Sequence, residues 1–411
     1  MSTSIHVRGS GLFSRMLPAP KPNPRVAFVS TYPPTMCGLA TFTASLREAV
    51  AESRGDEDGL DVVELVEGSE PNTRRPEVVA TFDPADPFST RLAADRLSDY
   101  DAVILQHEYG IWGPNMGLPV VDLVDHLTTN LITTLHTVLP SPTRTQEQII
   151  EELWTRSDYT VVPTHAARDL LATRYSLDSR SVTVIPHGTD PFLRSVARLR
   201  RFMNSGAGQP RLLTWGLIGP GKGLEWSIRA VGRLKTRHPD ISYTIAGKTH
   251  PKVVQNEGES YRRFLERLVS ELGLEENVRF IDDYISAGLL RDLLTGTGVV
   301  VLPYDSTDQI VSGVLVEAIA ANVPVVATDF PHAVELAEEG IVSAVPHRDP
   351  DAIATAIGRL LESGDAWGEM MKAQRAVAPS LEWGHVAREY ERLVDEVVTT
   401  PAAMSHVSPA S

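Results

Sequence analysis

RLLTWGLIGPGKG, residues 211–223, is the stretch on which the fold turns. Residues 211–216 read as a buried strand. A loop of glycines and a proline follows at once, and a helical pattern runs from 223 to 237. Strand, glycine-rich turn and helix form the opening unit of a parallel α/β sheet. The first half of the chain opens the same way: strand 25–30 (RVAFVS), the turn-rich TYPPTMCG, and a helix from about 39 to 52. Working outward, strands are expected at 61–65, 77–81, 102–107, 131–136, 159–162 and 182–185, then at 242–246, 278–281, 298–302 and 324–328. Helices are expected at 258–272 and 383–398. Strands alternating with helices in two separate runs predict two Rossmann-like parallel-sheet domains.

The length of 411 residues agrees, since a single core rarely grows so large. The expected boundaries are a flexible lead at 1–24, a first domain at 25–190 and a linker at 191–209. A second domain covers 210–378, a closing helical segment 379–399 and a disordered tail 400–411. The linker rests on Arg194, Arg198, Arg200 and Arg201 and on the break NSGAGQ. A net charge of −15 disfavours nucleic acid as a partner, so an anionic ligand needs a local device to hold it. The single cysteine, Cys37, excludes an intrachain disulfide and fits a reducing compartment. Residues 11–17 are too short for a signal-peptide core, and no run of about 18 apolar residues occurs. A cytoplasmic location is expected, with no transmembrane segment. The arginines at 194–201 leave room for peripheral membrane contact, against the plainer reading of a solvated face.

Four places carry chemistry. In TYPPTMCG, Gly38 opens a helix at a strand end, where backbone can approach a ligand and free N–H groups attract anions. His107 and Glu108 follow one apolar strand and His136 follows another, so two polar clusters meet at neighbouring strand ends. In the 216–223 loop, Gly219 and Gly221 expose backbone and Lys222 can reach a phosphate. The loop lacks the GK[ST] of a nucleotide-hydrolysing P-loop. In QIVSGVLVEA, residues 309–318, Ser312 is a good N-cap, and Glu317 is a carboxylate in apolar company that needs a partner. The plain alternatives are a tight turn, hydrogen-bonded structural histidines, a solvated lysine and a paired glutamate. No third ligand with metal spacing accompanies the histidines, and no metal is expected.

The order PPTMCG, LHT, IPHGTD, GPGKG and SGVLVEAIAANVPVVAT resembles the retaining glycosyltransferases of family 4, on the GT-B fold, over about residues 25–397. The segment from Leu381-Glu382-Trp383 resembles the family's crossover helix. The resemblance implies two facing Rossmann-like domains, the first binding an acceptor and the second a UDP- or GDP-sugar, with a sugar or glycan as acceptor. It implies no cofactor beyond that co-substrate. It assigns sugar contact to His136, phosphate contact to Lys222, and the family's E-x7-E pair to Gln309 and Glu317. Backbone contact to the diphosphate falls to Ser312, Gly313 and Val314, and the glycine loop to Gly38. His107 and Glu108 are expected on the acceptor side. The family's arginine is Leu217 here and its first glutamate is Gln309; Lys248 is a candidate to restore positive charge. The rival readings are an epimerase or phosphorylase on the same fold, and a sugar-nucleotide binder without catalysis.

Overall fold

The structure, a computed structural model, describes residues 23–35, 37–68, 75–178, 182–203, 210–306 and 311–399. The expected lead through residue 22, the tail from 400 and Gln309 lie outside the described residues. The first sheet contains β1 (Val26–Ser30), β2 (Leu60–Leu65), β3 (Val78–Phe82), β4 (Ala102–His107), β5 (Asn130–Leu135), β6 (Tyr159–Val162) and β7 (Val182–Val184). The second contains β8 (Arg211–Trp215), β9 (Ser242–Ala246), β10 (Val278–Ile281), β11 (Val299–Leu302), β12 (Val325–Thr328) and β13 (Ser343–Val345). The strand orders are β3-β2-β1-β4-β5-β6-β7 and β10-β9-β8-β11-β12-β13. Every pairing is parallel: Val26 of β1 stands beside both Leu60 and Ala102, and Leu212 of β8 beside both Tyr243 and Val299. The central strands β1, β4 and β11 are buried along their whole length, as apolar β-branched runs covered by helices on both faces must be.

Each sheet reverses its order at one place, between β1 and β4 in the first and between β8 and β11 in the second. In open α/β sheets, connections leave such a point in opposite directions and open a crevice at the strand carboxyl ends. The loops carrying Gly38, Glu108, Lys222 and Ser312 all leave these four strands.

The helix Trp383–Thr399 lies on the first domain. Trp383, Val386, Tyr390 and Leu393 pack into one core with Phe28, Phe42 and Leu46, and the Tyr390 hydroxyl meets Thr134 Oγ1 at 2.8 Å. One local expectation is corrected, and two elements are added. Residues 191–203 of the expected linker are a helix, Pro191–Met203. Leu193 and Val196 of that helix join the core of the second sheet. Its apolar positions recur at helical spacing, a pattern masked by the arginines; Arg200 is buried and donates to the carbonyls of Leu294 and Thr297 at 2.5 and 2.6 Å. The helix expected at 258–272 is present as Ser260–Glu271, and a further short helix, Pro251–Glu257, precedes it and ends at Gly258 with φ 61°. The short edge strand β13 carries too few residues for its alternation to show in the sequence.

Candidate active site

The second sheet supplies an anion-binding wall. Ser312 caps the helix Gly313–Ala320: its hydroxyl accepts from Leu315 N at 3.2 Å. The N–H groups of Gly313 and Val314 have no partner among the described residues, so the positive end of the helix is open to the crevice. Lys222 Nζ sits 4.3 Å from the centre of the Tyr304 ring, and the Tyr304 hydroxyl lies 3.4 Å from Ser312 Oγ. That contact ties the lysine loop to the helix terminus. Lys222 has no ion pair among the described residues. Its loop is held from both sides: Asp305 N donates to Gly221 O at 2.9 Å, and Ile218 N to Lys248 O at 2.8 Å. The Lys248 side chain is exposed on that rim. Gly219 packs against Val253, whereas Gly221, at φ +89°, has open space before it.

Glu317 lies behind this wall. Its Oε2 accepts from Trp215 Nε1 at 3.0 Å, and no ion pair to it occurs among the described residues. Burial, with the Asp190 charge adding, pushes its carboxyl up to about 7. A carboxylate with one neutral donor is incompletely satisfied and can take further hydroxyl donors.

The first sheet faces this wall with an aromatic and imidazole cluster. Gly38 opens the helix Gly38–Arg54, capped by Cys37, with nothing near the position of a side chain. Phe42 of that helix meets the rings of His136, His187 and Trp383 edge-on at 4.7, 5.1 and 5.0 Å. His136 donates from Nε2 to Gln106 Oε1 at 2.7 Å. Burial, with the neighbouring His187 and His107 adding, holds its imidazole down at about 3. Glu108 accepts from Thr137 Oγ1, and burial raises its carboxyl above the usual range. The domains also touch directly: Glu335 accepts from the backbone N–H groups of His165 and Ala166 at 3.2 and 2.8 Å.

His107 does not face this crevice, against expectation. It is fully buried beside Tyr109, both ring nitrogens lack partners among the described residues, and burial holds its pKa at about 3. The strand end places its backbone at the rim but turns its side chain inward. His107→Leu should therefore leave stability at neutral pH unchanged or higher, because it removes two unpaired buried polar atoms. The folded pKa lies below the unfolded value of 6.5, so the neutral ring's stability is full above 6.5 and is lost as pH falls towards 3. Urea unfolding should show the variant spared about 2 kcal/mol of the loss that the wild type suffers between pH 6.5 and 5. Equal acid sensitivity in both would refute the assignment.

Sequence reasoning passed over His187, Trp215 and His332. Only His187 had a visible signal, its place in IPHGTD immediately after β7. Among the described residues, no group of three metal-ligating side chains occurs, and no helix is long and apolar enough to cross a membrane.

Comparison with known proteins follows the same division of the chain. The model described as Glycosyltransferase Family 4 matches residues 45–192, and that described as Glycosyl transferases group 1 matches residues 209–363. A D-inositol 3-phosphate glycosyltransferase of Stackebrandtia nassauensis is 26% identical over 283 residues, which are 65% of this chain and 59% of that protein. The chain thus spans about three fifths of the length of that relative. The structure of Anabaena Alr3699/HepE in complex with UDP superposes with a TM-score of 0.70 at 15% identity, covering 90% of this chain and 100% of that one. Sucrose-phosphate synthase of Thermosynechococcus elongatus gives 0.69 at 18% identity, covering 92% and 99%. With one matched segment in each domain and the two-sheet architecture of these neighbours, the chain belongs to glycosyltransferase family 4, the group 1 glycosyl transferases, on the GT-B fold.

Proposed function

We propose that the protein is a retaining glycosyltransferase that moves a hexose from a nucleotide-diphosphate sugar to a sugar, glycan or small-molecule acceptor in the cytoplasm. One observation carries this reading: the open N-terminus at Gly313 and Val314, linked to Lys222 through Tyr304, stands opposite the Phe42–His136 wall of the other domain. Such a cradle fits a diphosphate. Glu317, short of donors, fits ribose hydroxyls; His136 would orient the sugar, and the Gly38 and Glu108 rim would meet the acceptor. On the face that the diphosphate leaves, the acceptor oxygen bonds to the anomeric carbon and passes its proton to the departing phosphate oxygen, while the diphosphate leaves with the bonding pair. Lys222 and the helix terminus stabilise the charge that develops on the diphosphate. Related proteins support the donor class: HepE is seen with UDP, and the Stackebrandtia relative is named as a glycosyltransferase.

The test is a thermal-shift screen with UDP-, GDP- and ADP-glucose. A donor at 100 times its Kd should stabilise the fold by about 2.7 kcal/mol. No shift with any of them removes the donor reading. Leu217, in place of a donor-site cation, favours a second reading, a binder without turnover. A shift without hydrolysis or transfer would select that reading. Activity should also persist in EDTA, since Lys222 and the helix terminus take the role of a cation. Loss of activity in EDTA with recovery in Mg²⁺ or Mn²⁺ would disprove metal independence.

A further inference from the structure

His187 belongs to the first domain but points at the second. Its Nδ1 lies 2.7 Å from the carbonyl oxygen of Gly188, which can only accept, so Nδ1 carries the hydrogen and Nε2 is the nitrogen free to titrate. Phe42 and Trp383 hold the ring on two sides, at 5.1 and 5.7 Å between ring centres. Its Nε2 edge is the nearest group to Gly313: a Cβ built on that glycine would stand 3.4 Å from Nε2. Nε2 has no hydrogen-bond partner among the described residues. It therefore stands against the first turn of the helix Gly313–Ala320. Near the positive end of that helix the neutral ring suits the empty site, and a proton on Nε2 becomes favourable once an anionic oxygen enters between them.

We propose that His187 binds the diphosphate of the donor as an imidazolium, taking up a proton as the donor enters and supplying the cation that Leu217 does not. This rests on the donor reading above. Nε2–H, the helix N–H groups and Lys222 then surround one phosphate group from both domains. His187 keeps its proton through the transfer step: the bonding pair passes to the phosphate oxygen, which takes the acceptor's proton, while Nε2–H donates a hydrogen bond to the diphosphate. Without a ligand, burial keeps the ring below its ordinary pKa, so the empty site is neutral and costs little to maintain. The other titratable groups of the crevice are Glu108 on the acceptor rim, His136, His332 of the helix Pro331–Glu338, Lys222, and, on the donor side, Glu317 with Asp190 near it. His136 and His332 are both held at about 3, so Glu317 is the one expected to compete near neutral pH. Its linkage has the opposite sign, because ribose hydroxyls favour its ionised form and release a proton.

Calorimetry of the full chain with UDP-, GDP- and ADP-glucose, in buffers of different ionisation enthalpy between pH 6 and 8.5, separates the two. These sugar diphosphates have no ionisation of their own in that range. Wild type should show the sum of an uptake and a release. His187→Gln, which keeps a donor but cannot titrate, should show release alone, and Glu317→Gln uptake alone. His187→Ala should weaken donor binding by about 10- to 100-fold at pH 6 and by less at pH 8.5, the size of a lost charge-assisted hydrogen bond. If His187→Gln binds with wild-type proton linkage and keeps kcat/KM within twofold across this range, the assignment of His187 falls while the donor reading stands. If wild type binds none of the three sugars, the donor reading falls and takes this one with it.

Discussion

Lys222→Ala should lower kcat/KM by about 30- to 900-fold, equal to 2–4 kcal/mol of transition-state stabilisation, the range found when one donor to a developing oxyanion is removed. The lysine is half-buried, free of ion pairs among the described residues, and held over Tyr304 at 4.3 Å beside the helix terminus. A surface lysine engaged with nothing would cost almost nothing to remove. In the proposed reaction the leaving diphosphate gains charge as the bond breaks, so the interaction would strengthen along the reaction and its loss would appear in kcat. Lys248 is exposed on the adjoining loop and cannot replace a cation seated over the Tyr304 ring. Glu317→Gln should behave differently, raising the donor KM more than it lowers kcat, because ribose contacts act equally in ground and transition states. Steady-state kinetics on both variants with the identified donor check the pair. A Lys222→Ala enzyme within twofold of wild type would remove the lysine from the site.

Gly223→Ala should cost at least about 3 kcal/mol of stability and disable donor binding in whatever folded protein remains. Gly223 has φ +60°, and a Cβ there would stand 1.9 Å from the carbonyl oxygen of Pro303. That oxygen is backbone and leads straight from β11 into the loop carrying Tyr304 and Asp305, so no side-chain rotation can relieve the overlap. The left-handed conformation adds about 1–2 kcal/mol for any residue with a Cβ. The displacement would reach the site, because Asp305 N donates to Gly221 O at 2.9 Å and Tyr304 carries Lys222. Thermal or urea unfolding, followed by donor titration, measures both effects. Gly221→Ala is the control: its φ of +89° is also strained, but a Cβ there meets nothing within 4 Å, so it should be milder. Equal losses in the two would show that backbone strain, and not the contact with Pro303, sets the requirement.

Much of this was legible in the linear chain because parallel α/β sheets write themselves locally. Buried central strands are short apolar runs, each ends in a turn-forming loop, and each loop opens a helix. RVAFVS, AVILQH, RLLTWG and GVVVL mark four such strands without any knowledge of what packs on them. Ligands of this architecture meet the loops at strand carboxyl ends, so the order of residues already placed Gly38, His136, Lys222 and Ser312 at one end of each sheet. Capping chemistry is local too, and Ser312 performs the role its type predicts.

What the chain does not write locally is the direction in which a side chain points and what stands opposite it. His107 and His136 end neighbouring strands and look equivalent, yet one ring is sealed beside Tyr109 while the other, also buried, bonds Gln106 and packs edge-on against Phe42. Arg200 looked solvated among its neighbouring arginines until the helix bearing it turned that one position inward, onto the carbonyls of Leu294 and Thr297. His187 and Gly313 are remote in sequence and belong to different domains, so their approach exists only when the sheets face each other and the last helix brings Trp383 against the histidine. Sequence determines strands, caps and loops because these depend on neighbours along the chain. The electrostatic character of each site residue, from a neutral His187 to a Glu317 raised to about 7, depends on desolvation by distant segments, and only the tertiary structure decides it.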